Sequence, residues 1–102
     1  VTEHLVNIND NQYLIDADMD LNDLFEQQEI EHLPESQYST IGGFIFELAE
    51  SMPYVGQELT FETIDETIDD DANLVQNAIK MIFKITKVED NRIREVLLTI
   101  TK

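Results

Sequence analysis

Between residues 79 and 100 the chain reads IKMIFKITKVEDNRIREVLLTI, and its apolar residues recur with a period of two. Met81, Phe83 and Ile85 alternate with Lys80, Lys84 and Thr86, which is the pattern of a strand with one buried face. Asp90-Asn91 supplies a tight turn. Val96, Leu98 and Ile100 then alternate on the way back. Ile93 is out of phase with that last set, which predicts a bulge near the turn. A hairpin of this kind exposes an apolar face that other elements must cover, so the rest of the chain has to supply a second layer.

The preceding residues supply it. Leu5, Val6 and Ile8, a turn at Asp10 and Asn11, then Tyr13, Leu14 and Ile15 predict two short strands. Leu21, Leu24 and Phe25 stand at i, i+3, i+4, one face of a short helix, with Asp20 as N-cap and Asp23 in the first turn. Ile41, Phe44, Ile45, Leu48 and Ala49 predict a second helix, capped by Ser39 or Thr40 and followed by Pro53. Gly42 and Gly43 lie inside this pattern. Each costs about 1 kcal/mol relative to alanine in a helix, so the pair predicts close approach of another backbone. A phosphate cradle would instead need its glycines before the helix, with free N–H groups aimed at the ligand. A turn at Gly56 leads to a strand with Leu59 and Phe61 on one face. The expected fold is α+β, two helices on a mainly antiparallel sheet, forming one domain over residues 1–102. Residues 62–79 read as an acidic insertion between two strands.

Charge narrows the function classes. The formal net charge is −16, and residues 1–79 hold 19 Asp/Glu and no Lys or Arg. A body this acidic repels phosphate backbones and anionic lipid heads, which argues against nucleic acid or a membrane surface as partner. With no cysteine there is no disulfide framework, thiolate metal site or cysteine nucleophile. No run of 18 apolar residues is present, so membrane insertion is not expected. No signal-peptide pattern precedes Lys80, the first basic residue. Val1 in place of methionine predicts a piece of something longer.

Three segments together carry a family resemblance: QYLIDADMDLNDLFE, LPESQYSTIGGFIFELAESMPYVGQEL and IFKITKVEDNRIREVLLTI. Their shared features are Ile15-Asp16, Leu21 to Leu24, Leu33-Pro34 with Tyr38 and Thr40, Gly43-Phe44, Pro53 with Gly56, Phe83, and Arg92-Ile93 with Val96. In this order and spacing, over roughly residues 10–101, the chain resembles the transporter-associated domain at the C-terminus of CorC/HlyC hemolysin-like membrane proteins. Ala17 stands where that family often has glycine, and residues 62–79 are longer than its pattern. The resemblance implies a non-enzymatic regulatory domain on the cytoplasmic face of an integral membrane protein, beside CBS modules and a transmembrane domain. It also implies an association with magnesium and cobalt transport. The family fold is similar to a domain of flavin-binding oxidases, which raises FAD or an adenine nucleotide as a possible ligand.

Asp16, Asp18 and Asp20 have the alternate-oxygen spacing that opens a calcium loop. Such a loop needs glycine at its sixth position and a bidentate glutamate at its twelfth, where this chain has Leu21 and Gln27. The segment therefore reads as a turn. Asp65, Glu66, Asp69, Asp70 and Asp71 form a denser acidic cluster, read as one solvated loop and as the better divalent-cation candidate. His4 and His32 are 28 residues apart and read as surface residues. No nucleophile–base pair can be named, so no catalytic residue is assigned. Lys80, Lys84, Lys87, Arg92 and Arg94 make residues 80–94 a basic hairpin, a candidate for pairing with an acidic surface, either by self-association with another copy or on a neighbouring module of a parent protein.

Overall fold

The computed structural model describes residues 5–31 and 33–101. Its elements are β1 (Leu5–Asn9), β2 (Gln12–Asp16), α1 (Leu21–Gln27), α2 (Ile41–Ala49), β3 (Glu58–Ile68), β4 (Leu74–Glu89) and β5 (Arg92–Thr101). The five strands form one antiparallel sheet in the order β1-β2-β5-β4-β3. This is the expected α+β architecture, with both helices on one face.

The alternating residues of the C-terminal hairpin form the centre of the core. Met81, Phe83, Ile85, Val96 and Leu98 are fully buried, together with Ile15 of β2 and with Leu24, Phe25, Ile41 and Ile45 from the covering helices. Phe44 anchors α2 to the sheet, meeting Phe61 edge-on at 5.4 Å and Phe83 at 6.1 Å between ring centres. These edge-to-face contacts add to the burial of aromatic surface. Asp90 and Asn91 both take the left-handed conformation, φ 53° and 63°, as a two-residue primed hairpin turn demands. The expected irregularity is present. One extra residue falls on β4 at Thr86 and a compensating one on β5 at Arg94, which keeps both Ile93 and Val96 inward.

Both helix caps form as their residues predict. Asp20 Oδ1 accepts from the Asn22 N–H at 2.8 Å, and Thr40 Oγ1 accepts from the Gly43 N–H at 3.2 Å. The helix starts are also tied to each other, because the Leu21 N–H donates to Ser39 O and the Ile41 N–H donates to Met19 O. The glycine pair divides. A Cβ on Gly42 would lie 3.0 Å from Ala17 Cβ and 3.2 Å from Ala17 O, so this glycine admits another backbone as expected. Gly43 faces the Tyr38 side chain instead.

Residues 62–79 are not an insertion separate from the strands. β3 and β4 run straight through them, paired from Glu62↔Lys80 out to Ile68↔Leu74. The last described partner of β4 on its β5 side is Thr101, opposite Lys80, so the hairpin continues past the sheet as a two-stranded arm. Six register pairs make that arm about 20 Å long at the usual rise per residue. It accounts for a radius of gyration of 14.4 Å, where a compact domain of this length has about 13 Å.

Candidate functional site

The start of α2, the turn after β2 and the β4–β5 turn enclose a cleft of about 230 Å³, whose lining includes Asp18, Tyr38, Thr40, Phe46 and Arg92. It is the place where a glycine-bearing helix start could meet an anionic ligand. The donors there are already used. The Ile41 N–H goes to Met19 O, the Gly42 N–H to Ala17 O at 2.9 Å, the Gly43 N–H to Thr40 Oγ1 and the Phe44 N–H to Thr40 O. A helix N-terminus binds phosphate through unsatisfied N–H groups. The residues at this helix start do not fit a flavin or nucleotide pyrophosphate.

The aspartates of residues 16–20 also have local tasks. Asp16 Oδ1 accepts from the Asp18 N–H at 2.9 Å, Asp20 caps α1, and Met19 is buried between them. The turn reading stands. Ala17 takes no left-handed φ here and is itself buried against Gly42, so the turn needs no glycine at that position.

The five acids expected in one loop are separated. Asp65 and Glu66 are consecutive residues of β3, so their side chains leave opposite faces of the arm. Only Asp69, Asp70 and Asp71 lie in the turn. Asp69 Oδ1 accepts from the N–H groups of Asp71 and Asn73, both at 2.9 Å, and thereby shapes that turn. Among the described residues no group of three or more His, Cys, Asp or Glu is arranged to hold a metal ion. His4 and His32 lie outside the described residues.

The basic hairpin is less basic than its sequence suggests. Lys80 lies opposite Glu62, Lys84 opposite Glu58, Lys87 opposite Glu95 and Arg92 opposite Glu89. Directly opposed residues share a face and interact, and opposite charges there are mildly stabilising. Four of the five cations expected to form a free surface are thus matched by an acid across the ladder, and Arg94 occupies the bulge. The strip offers little net charge to a partner. An argument from sequence order could not see this, because Glu58 and Glu62 are 26 and 18 residues from the lysines they face.

The surface that sequence reasoning missed is the second face of the sheet. The helices cover the face carrying Ile15, Phe83 and Val96, and the register sends Val6, Leu14, Leu97 and Ile82 to the other. Val6, Leu14 and Leu97 are successive cross-strand neighbours, with Val6 exposed and the other three half-buried. The signal was present in the sequence as apolar residues on both phases of the strands: Leu14 beside Ile15, Ile82 beside Phe83, Leu97 beside Leu98.

A family profile described as the CorC_HlyC transporter-associated domain matches residues 6–102. Solved structures share the fold. A domain of a candidate hemolysin from Streptococcus mutans UA159 aligns with a TM-score of 0.70 at 24% identity, covering 95% of this chain and 99% of that one. The associated region of a candidate Mg2+ and Co2+ transporter (CorC) from Neisseria meningitidis MC58 gives 0.68 at 15%, covering 97% and 100%. A transporter-associated domain from a CBS domain protein of Porphyromonas gingivalis gives 0.63 at 17%, covering 95% and 97%. At these identities the likeness is one of fold. No curated protein sequence matches the chain.

Proposed function

Because this chain belongs to the CorC_HlyC transporter-associated domain family, we propose that it is a non-catalytic accessory module of a membrane protein linked to divalent-cation transport. It faces the cytoplasm and acts by docking on other parts of that protein. The observation that carries this reading is the open sheet face. Helices protect one side of the sheet, while on the other Val6, Leu14 and Leu97 form an apolar row across three strands, with Ile82 at the diagonal position next to Leu97. Antiparallel sheets commonly leave one face to water, but that face is then polar at alternate positions. Here the alternation fails at the centre of the sheet, and apolar patches on otherwise charged surfaces mark interaction sites.

The partners of this reading are the CBS modules and the transmembrane part of the parent protein. Its support is the family together with two relatives, described as associated with an Mg2+ and Co2+ transporter and as part of a CBS domain protein. No helix among the described residues is long and apolar enough to cross a membrane. The test places Leu14→Glu and Ile82→Glu in the intact parent protein and measures magnesium and cobalt transport, with circular dichroism of the isolated domain as the check on folding. The reading expects a folded domain and altered transport, similar to deletion of the whole domain. Unchanged transport in both the double variant and the deletion would refute it.

A further inference from the structure

Among the described residues the strand order ends on β3, eleven residues long, and β4 is its one strand partner. Long edge strands are a hazard, because their outward backbone groups accept any extended chain, and proteins blunt them with charge, proline or bulges. The sequence of β3, ELTFETIDETI, has no proline, its ladder with β4 has no bulge, and its charges are all acidic. The edge is therefore kept apart from its own copies by like charge while its backbone stays regular. An antiparallel pair of two β3 edges would bring rows of glutamate together, which is destabilising.

The inner edge of β3 already shows what this pattern accepts. On the open face Glu58 meets Lys84 and Glu62 meets Lys80, with Thr60 meeting Ile82 between them. On the other face Leu59 and Phe61 meet Phe83 and Met81. The matching strand thus has lysines four residues apart and apolar residues on the opposite phase. We propose that the outer edge of β3 binds a second strand of the same kind: an extended segment of another polypeptide, with Lys or Arg at every fourth position and apolar residues on the opposite phase. Main-chain bonds supply the affinity in such strand addition, and alternate side chains supply the specificity. Glu58 and Glu62 select the cationic phase, and the half-buried Leu59 and Phe61 receive the apolar one. The inference does not depend on any membrane-protein context, since it uses the strand edge rather than the open sheet face.

The test titrates the isotope-labelled domain with a short synthetic peptide alternating valine with lysine and threonine, lysine recurring every fourth residue. Three comparisons accompany it: the same peptide N-methylated at alternate residues, the peptide with glutamate for lysine, and the domain carrying Glu58→Gln and Glu62→Gln. The proposal expects saturable one-to-one binding with amide shifts concentrated on β3. It expects at least a tenfold loss for the double variant and no binding of either modified peptide. Equal binding of the N-methylated peptide, or shifts spread over the whole surface, would reduce the effect to diffuse attraction by a net charge of −16 and overturn it. Concentration-dependent shifts on β3 without peptide would show a second copy as the occupant and also overturn it. No binding of the lysine peptide would do the same.

Discussion

Replacing Gly42 by alanine sets two effects of known size against each other. Near the start of a helix the added methyl favours the helical state, by up to about 1 kcal/mol in a full helix interior. Against this, the new Cβ would lie 3.0 Å from Ala17 Cβ, 3.2 Å from Ala17 O and 3.5 Å from Ile93 O. Relief requires Ala17 to retreat by several tenths of an ångström. Ala17 is held on both sides, its N–H donating to Arg94 O at 3.0 Å and its carbonyl accepting from the Gly42 N–H at 2.9 Å, and it is 2% exposed. Overpacking of a constrained site costs about 1–3 kcal/mol. Packing should win, leaving Gly42→Ala destabilised by about 1–2 kcal/mol net. In a domain of this size that lowers Tm by about 5–10 °C. Thermal and urea unfolding followed by circular dichroism measure it. Ala17→Gly removes the 3.0 Å contact, so the double variant should recover about 1 kcal/mol relative to additivity. A Gly42→Ala domain as stable as the parent, or additive behaviour of the pair, would refute the argument that the turn cannot yield.

Glu29 ends α1 in the left-handed region at φ 58°, where the Ile30 N–H reaches back to Phe25 O. Glu29→Gly should raise stability by about 0.5–1 kcal/mol, because glycine carries no Cβ penalty there and a negative charge leaves the helix C-terminus. Urea unfolding at neutral pH reads the change. Replacing residues 64–78 by Asn-Gly, so that Thr63 and Ile79 flank a two-residue turn, should leave stability within about 1 kcal/mol of the parent, since an isolated two-stranded ribbon is itself marginal. A large loss in the melt would mean that the arm supports the core. Magnesium and calcium should raise Tm no more than monovalent salt at matched ionic strength, as diffuse screening predicts. A saturable, ion-selective rise would instead reveal a site, through preferential binding to the folded state.

Periodicity, caps and turns were legible because each depends on residues within four positions of one another. Leu21, Leu24 and Phe25 lie on one helix face whatever they pack against, and Asp20 and Thr40 cap because their oxygens reach N–H groups two or three residues on. The bulge near Ile93 was legible for the same reason, since side-chain phase is a local count. The acidic cluster misled because density in sequence was taken for proximity in space. Asp65 and Glu66 lie on a strand, where neighbours diverge, and Asp69 is occupied in shaping its own turn.

The sequence by itself determined the elements, their ends and the α+β class, since these follow from spacing and from the reach of short side chains. Only the tertiary structure decided which surfaces are available. Register placed Glu58 and Glu62 opposite Lys84 and Lys80 and so neutralised the hairpin that looked basic. Chain crossing gave the α2 donors to Ala17 and Met19 and left none for a phosphate at that helix start. The strand order made β3 the edge and sent Val6, Leu14, Leu97 and Ile82 to the uncovered face. Each outcome depends on contacts between residues far apart in the chain. Local physics sets what a segment prefers to be, and only the packed sheet sets what stands beside it.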